Sequence, residues 1–205
     1  MKIEQGSPEW HAQRLGKVTA SRIADMMAET KTGWGAGRNN YATELIVERL
    51  TGRPADSYVS SAMQHGTDCE PQARACYTLE TDINVVEVGF IDHPTIKMTG
   101  ASPDGLVGDD GLIEIKCPNM ATHLDTLLGA KIPDKYIKQM QWQMACTGRL
   151  WCDFFSFDPR LPLELQSKTI RVARDSALII EIEKATKQFL KETEERYQSL
   201  IGLRL

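Results

Sequence analysis

The residues most able to do chemistry fall in one stretch, Ser102-Pro103-Asp104-Gly105-Leu106-Val107-Gly108-Asp109-Asp110-Gly111-Leu112-Ile113-Glu114-Ile115-Lys116. Asp104 stands at a turn that ends one β-type run, whereas Glu114 and Lys116 lie two apart on the next run and so point to the same face of a strand. Two carboxylates and an ammonium converge. Carboxylate oxygens are hard ligands suited to Mg²⁺, which keeps part of its water shell and takes further ligands from phosphate. A lysine beside them has its charged form favoured by the acids and disfavoured by a bound dication, so it can position or deprotonate an attacking water. The reaction that needs all three groups is phosphodiester hydrolysis. There one metal generates hydroxide and neutralises charge developing on the phosphate, and a second stabilises the departing oxygen. A turn aspartate followed by a solvent-facing strand pair is the plainer alternative for the spacing D-x₉-E-x-K. The context weighs against it: Ile113 and Ile115 give the strand an apolar opposite face, and Cys117-Pro118 ends it directly after the lysine.

The elements that must position these groups are legible in outline. Thr19-Ala20-Ser21 followed by Ile23, Met26 and Met27 reads as a helix start with hydroxyl caps. With Arg14 nearby, such a start makes a ready anion pocket, although an N-cap and a surface ion pair satisfy the same spacing. Residues 30–40 read as a loop in which Lys31, Trp34 and Arg38 combine two cations with a stacking surface, suited either to a DNA end or to solvent. Tyr41, Leu45, Val47 and Leu50 have helical spacing up to the stop at Thr51-Gly52-Arg53-Pro54. A third helix is predicted over 61–80, with Pro71 either kinking it or lying close to its start. From Ile83 the pattern changes to short β-type runs separated by His93-Pro94, Ser102-Pro103-Asp104-Gly105 and Gly108-Asp109-Asp110-Gly111, a meander of three or four strands. Helices at about 121–128 and 134–147, strands at 151–157 and 167–172, and a closing helix from Asp175 complete the chain. This pattern predicts an α/β (α+β) fold, a central mixed β-sheet flanked by helices.

Composition bounds the function from the other side. The 205 residues suffice for a continuous core and predict one domain spanning 1–205, with no repeat, linker or low-complexity segment. A net charge of −4 is opposite to the basic balance of small nucleic-acid binders, so a nucleic-acid site here requires local positive charge. No apolar run approaches the length needed to span a bilayer and no apolar leader follows Met1, so the chain is expected in the cytoplasm, with its five cysteines as thiols. Cys69, Cys76, Cys117, Cys146 and Cys152 lack the spacing of an iron–sulfur ligand set, because Gln143 stands where a third downstream cysteine is needed; they read as small buried hydrophobes. The four histidines show no zinc-ligand spacing.

The run Pro-Asp…Glu-Ile-Lys resembles the core of the PD-(D/E)xK nucleases. Within that superfamily the chain resembles the lambda-exonuclease, or viral recombinase, family of 5′-to-3′ duplex DNA exonucleases. Three further segments carry the narrower likeness: Trp10 through Ser21, His65-Gly66-Thr67-Asp68-Cys69-Glu70-Pro71-Gln72-Ala73-Arg74, and Tyr136-Ile137-Lys138-Gln139-Met140-Gln141-Trp142. The resemblance implies a restriction-endonuclease-like fold and two Mg²⁺ ions per site, with Mn²⁺ able to substitute. It implies that Asp104 ligates both ions, with Glu114 and the Ile115 carbonyl on the nucleophile-side ion and Glu70 helping to hold the second. Lys116 activates water and Gln139 sits beside the lysine or the scissile phosphate. Arg14 and Ser21, with Thr19, take the 5′-terminal phosphate; Met63 is the counterpart of a strand-separating wedge; Tyr136 stands at the rim. Alone, Glu70 reads as an exposed helix charge, Gln139 and Gln141 as ordinary polar helix positions, and Met63 as helix core. The implied activity releases mononucleotides from 5′-phosphorylated ends and leaves 3′ overhangs for recombination. A homotrimeric ring around DNA and a single-strand annealing protein are the implied partners. A restriction- or repair-type endonuclease, and a non-catalytic DNA-end-binding module, are the competing readings.

Overall fold

The structure, a computed structural model, describes residues 3–31, 33–55 and 61–203, with the side chains at 62 and 63 outside the description. Its centre is a five-stranded mixed sheet whose strands, in spatial order, are β10 (Ser167–Ala173), β9 (Trp151–Phe157), β8 (Gly111–Lys116), β7 (Gly105–Val107) and β4 (Val85–Val86). The β8–β9 pair is parallel and the others are antiparallel. The middle strand β8 is buried along its length apart from its last residue, as a strand covered on both faces must be.

Alternation along β8 sorts the two faces. Ile113 and Ile115 join Phe155, Phe157, Ala73 and Tyr77 in the core beneath α4 (Ser61–Thr81). Leu112 faces the other way, onto Met140 and Met144 of α6 (Asp134–Thr147), with Cys152 and Phe154 beside it. The two-residue period then places Glu114 and Lys116 on the α6 side. At the ladder's end, the register Gly105↔Ile113 and Leu106↔Leu112 runs on to set Asp104, one residue before β7, level with Glu114. Residues opposed in an antiparallel pair share a face, so all three chemical groups are brought to one surface.

A second, three-stranded sheet orders β1 (Val18–Thr19), β6 (Thr99–Ala101) and β5 (Ile91–Asp92), with β1 parallel to β6. The expected single meander is thus divided: β7 and β8 form its hairpin in the large sheet, while β5 and β6 pair with each other and β6 with β1. Around this small sheet Val18, Ile23, Tyr41, Leu45, Trp142, Ile182 and Phe189 form a further core, joining α3 (Ala36–Thr51), α6 and α7 (Ser176–Gly202).

Several local expectations differ from the structure. A short helix α1 (Pro8–Arg14) precedes the first predicted one, capped by Ser7, whose Oγ accepts from Trp10 N, with Pro8 in the first turn where a missing N–H costs nothing. The helix expected after Thr19 is a single 3₁₀ turn at Ala20–Arg22 running into the four-residue α2 (Ile23–Met26). Residues 30–40 are not one loop. A small hairpin of β2 (Glu29–Thr30) and β3 (Gly33–Trp34) is followed by α3, which begins at Ala36 and ends at Gly52 in the left-handed conformation, φ 66°. Pro71 lies inside α4, which runs continuously past it. The remaining helix, α5 (Met120–Leu127), is capped by the Asn119 side chain.

Candidate active site

Glu114 is fully buried, and a carboxylate removed from water is tolerated only when its oxygens are satisfied. Three donors meet it. Lys116 Nζ forms an ion pair with Oε1, which also accepts from Gln139 Nε2 at 2.7 Å, while Oε2 accepts from Gln143 Nε2 at 2.6 Å. Asp104 Oδ2 accepts the backbone N–H of Ile115 at 2.6 Å, which closes the sheet's edge where β7 has ended. Burial first, and then the charge of Glu114, hold the Asp104 carboxyl well above the usual carboxylate range. Burial pulls the Lys116 ammonium down, but Glu114 and Asp104 outweigh that and hold it above its ordinary value. Its Nζ also lies 5.2 Å from the centre of the Tyr136 ring, which Lys135 approaches at 4.7 Å.

Asp104, Glu114, Lys116 and Gln139 line a cleft of about 160 Å³ together with Arg14, Thr19 and Ser21. Trp10 joins the two sets: its Nε1 donates to Ser102 Oγ at 2.9 Å, two residues before Asp104, and the Arg14 guanidinium lies 3.8 Å over its ring. Gln5, which also lines the cleft, ties the same turn by donating to the Pro103 carbonyl at 2.8 Å. Arg14 forms no ion pair among the described residues, and burial lowers its pKa from the ordinary guanidinium value. A half-buried guanidinium stacked on an indole, with Glu48 near enough to act on it only through its charge, keeps donors that can meet an anion. Thr19 N donates to Tyr41 Oη at 3.1 Å, and Thr19 Oγ1 lies 3.5 Å from Ser21 Oγ, so α3 fixes the hydroxyl wall from behind.

Not every residue proposed from sequence joins this cleft. Glu70 projects from α4 and accepts from Arg74 at 2.6 Å; burial pushes its pKa up against the pull of Arg74 and Lys116, but it is not part of the cleft wall. Arg38 lies elsewhere: it is 2% exposed, donates to the Met26 carbonyl at 2.8 Å and to Glu192 at 2.7 Å, and stacks on Trp34 at 3.8 Å, so it braces α3 against α7 and does not line the cleft. Trp34 lines a groove with Met27 and Ile180, away from the acidic residues, and Lys31 is exposed on the hairpin. The side chain of Met63 lies outside the described residues. Gln141 bridges other elements, donating to Ala173 O and accepting from Asp175 N. The residue that sequence reasoning missed is Gln143. Its signal was the four-residue interval from Gln139, which places both amides on one helix face.

Among the described residues no three His, Cys, Asp or Glu side chains group closely enough to hold a metal ion by themselves. The donor chemistry still suits a small hard dication, which takes one or two carboxylates and completes its shell with water and substrate phosphate. Asp104 and Glu114 supply those carboxylates, and the Ile115 carbonyl shares the strand side of the N–H that Asp104 accepts.

A mixed sheet that gathers an aspartate, a glutamate and a lysine around the last residues of its central hairpin defines a nuclease of the PD-(D/E)xK type. The chain belongs to the YqaJ-like viral recombinase domain family, whose description matches residues 9–150. It is similar to an alkaline exonuclease, LHK-Exo, from Laribacter hongkongensis: 56% identical, covering 97% of this chain and 98% of that one, with a TM-score of 0.90. The structure of LHK-Exo in complex with dAMP matches at 58% identity over 95% of this chain and 96% of that one, with a TM-score of 0.88. The uncharacterized protein R354 of Acanthamoeba polyphaga mimivirus is 27% identical over 169 residues, which are 75% of this chain and 29% of that protein. The chain thus matches less than a third of the length of that curated relative.

Proposed function

We propose that this chain, as one domain over 1–205, is a Mg²⁺-dependent exonuclease that degrades duplex DNA from 5′-phosphorylated ends, releases mononucleotides and leaves 3′ overhangs. The observation that carries this reading is the sharing of one cleft by Arg14, Thr19 and Ser21 with Asp104, Glu114, Lys116 and Gln139. A phosphate receptor in the same cleft as a hydrolytic centre would measure cleavage from a terminus, which an endonuclease does not need. The likeness to an alkaline exonuclease solved with dAMP supports the same class of reaction and a mononucleotide product.

In this reading Asp104, Glu114 and the Ile115 carbonyl would hold the divalent cation, and Glu70 would help to hold a second one. A bound dication would acidify its water and neutralise charge on the phosphate undergoing attack. The chain's own residues do the rest. Lys116, kept charged by its acidic neighbours, donates from Nζ to orient the water and the phosphate oxygen. Gln139 holds Glu114 Oε1 toward the cleft, and Arg14 and Ser21 fix the terminal phosphate so that the first linkage meets the acids. Tyr136 borders the lysine. Formation of a trimeric ring and delivery of the overhang to a single-strand annealing protein belong to the same proposal.

Linear duplexes labelled separately at each 5′ and 3′ end, with and without terminal phosphate, test it. In Mg²⁺ the 5′ label should leave first, as a mononucleotide, fastest from phosphorylated ends, while covalently closed plasmid stays intact. Cutting of the closed plasmid would instead support the endonuclease reading, and end binding with no cleavage in Mg²⁺ or Mn²⁺ would support a binding module.

A further inference from the structure

Glu114 has three donors, and they differ in what can reach them. Lys116 and Gln139 line the cleft, so a substrate phosphate or water competes for both. Gln143 does not line the cleft and is fully buried between α6 and β8. Its Nε2 donates to Glu114 Oε2 at 2.6 Å, while its Oε1, also buried, has no hydrogen-bond partner among the described residues. An unpaired buried carbonyl carries a standing cost, and the amide retains it at a position where an apolar side chain of like size would avoid it. The only hydrogen bond that the Gln143 side chain makes among the described residues goes to Glu114.

We propose that Gln143 is a positioning residue for the cation site: it pins Glu114 Oε2 from behind and so keeps Oε1 directed into the cleft when substrate draws Lys116 and Gln139 away. The proposal rests on the metal-nuclease reading above. Without the rear donor, Glu114 rotates and its buried charge loses a compensating dipole, so the grip on a dication weakens while the lysine and the phosphate receptor remain. Outer partners that orient a metal-ligating carboxylate are worth about 10- to 100-fold in metal affinity.

The experiment titrates Mn²⁺ into the full-length protein, without DNA, and counts free ion by electron paramagnetic resonance. The proteins compared are wild type, Gln143→Met, Gln143→Asn and Glu114→Gln, with circular dichroism reporting the fold of each. Gln143→Met should weaken Mn²⁺ about 10- to 100-fold, and the Mg²⁺ concentration giving half-maximal digestion should rise in the same ratio, with the rate recovered at high Mg²⁺. A merely structural role would not be rescued by added cation. Gln143→Asn retains the amide but falls short of Oε2, and should lie between wild type and Gln143→Met; it carries the test if the methionine variant fails to fold. Wild-type Mn²⁺ affinity in a folded Gln143 variant, with Glu114→Gln weakened, would overturn the role of Gln143 and leave the nuclease reading intact. Unchanged Mn²⁺ affinity in Glu114→Gln would overturn the metal reading itself.

Discussion

At the scale of single residues, the proposed function gives the cleft two tasks that can be removed one at a time. Lys116 is the one ammonium beside the acids on the cleft wall, and the charge it holds is sustained by Glu114 and Asp104. Lys116→Ala should therefore lower the rate of phosphodiester cleavage by about 10²- to 10³-fold, the usual cost of losing one fixed electrostatic stabiliser. End binding in Ca²⁺, followed by fluorescence anisotropy, should survive the change; unaltered turnover would remove Lys116 from the mechanism. Arg14 acts earlier. A charge-assisted contact to phosphate of about 1.5–3 kcal/mol converts to roughly 10- to 100-fold in rate. Arg14→Ala should slow digestion of 5′-phosphorylated duplex by that factor and of 5′-hydroxyl duplex hardly at all. Equal slowing of both ends would exclude a phosphate receptor at Arg14. That Asp104, Glu114 and Lys116 lie together was legible in sequence because turn and strand spacing set their shared face, whereas the place of Arg14, Thr19 and Ser21 in the same cleft came from the family resemblance rather than from spacing. The setting of Arg38 was not legible for the opposite reason. An arginine in a glycine-rich stretch looks the same in sequence whether its guanidinium meets phosphate or, as here, Met26 O and Glu192 from the far end of the chain.

At the scale of elements, the site depends on how closely β4, β7 and β8 approach at Asp104. Gly105 follows that aspartate, and a Cβ there would run into the Val85 side chain on β4, with Ile113 on β8 close by. The dipeptide Asp104-Gly105 thus does more than turn the chain. Its lack of a side chain lets β4 close over the hairpin that presents Asp104 to Glu114. Gly105→Ala should cost about 1–3 kcal/mol in urea unfolding, the range for overfilling a packed site. Combined with Val85→Ala, the loss should be smaller than the sum of the two single changes, because the clash is shared. Strict additivity would show that the two positions do not meet. The long helices and central strands could be read from periodicity because each buries one face. The partition of β5 and β6 into a second sheet could not, because short strands with two or three ladder residues carry no signal of their partner: β6 takes β1, some eighty residues upstream, through the register Val18↔Thr99. The lone turn at Ala20–Arg22 was likewise overridden by context, since Val18, Ala20 and Ile23 are claimed by the core with Tyr41 and Trp142 before a longer helix can form.

At the scale of the molecule, charge and topology set opposite demands. The chain carries −4 overall, and in the cleft Arg14 and Lys116 stand with Asp104 and Glu114, so under the proposed function a duplex is drawn in only by those two cations and by any dication the acids hold. Association should therefore depend steeply on salt, because each neutralised phosphate releases counterion. A closed ring changes what happens next. Once the duplex is threaded, retention depends on topology rather than on ion pairs, and an acidic subunit becomes an advantage because it does not stall sliding. The proposed trimer then predicts a dissociation between two measurements on the same protein. Raising KCl from 50 to 200 mM, salt concentrations over which phosphate-dependent binding falls by orders of magnitude, should sharply reduce the rate at which 5′-phosphorylated ends are engaged. The number of nucleotides released per engagement, read with an unlabelled duplex trap, should change little. Light scattering should give about three times the 23.0 kDa of one chain under the same conditions. A monomer, or a run length that shrinks in parallel with the engagement rate, would show that the protein holds DNA by charge alone and would exclude the ring.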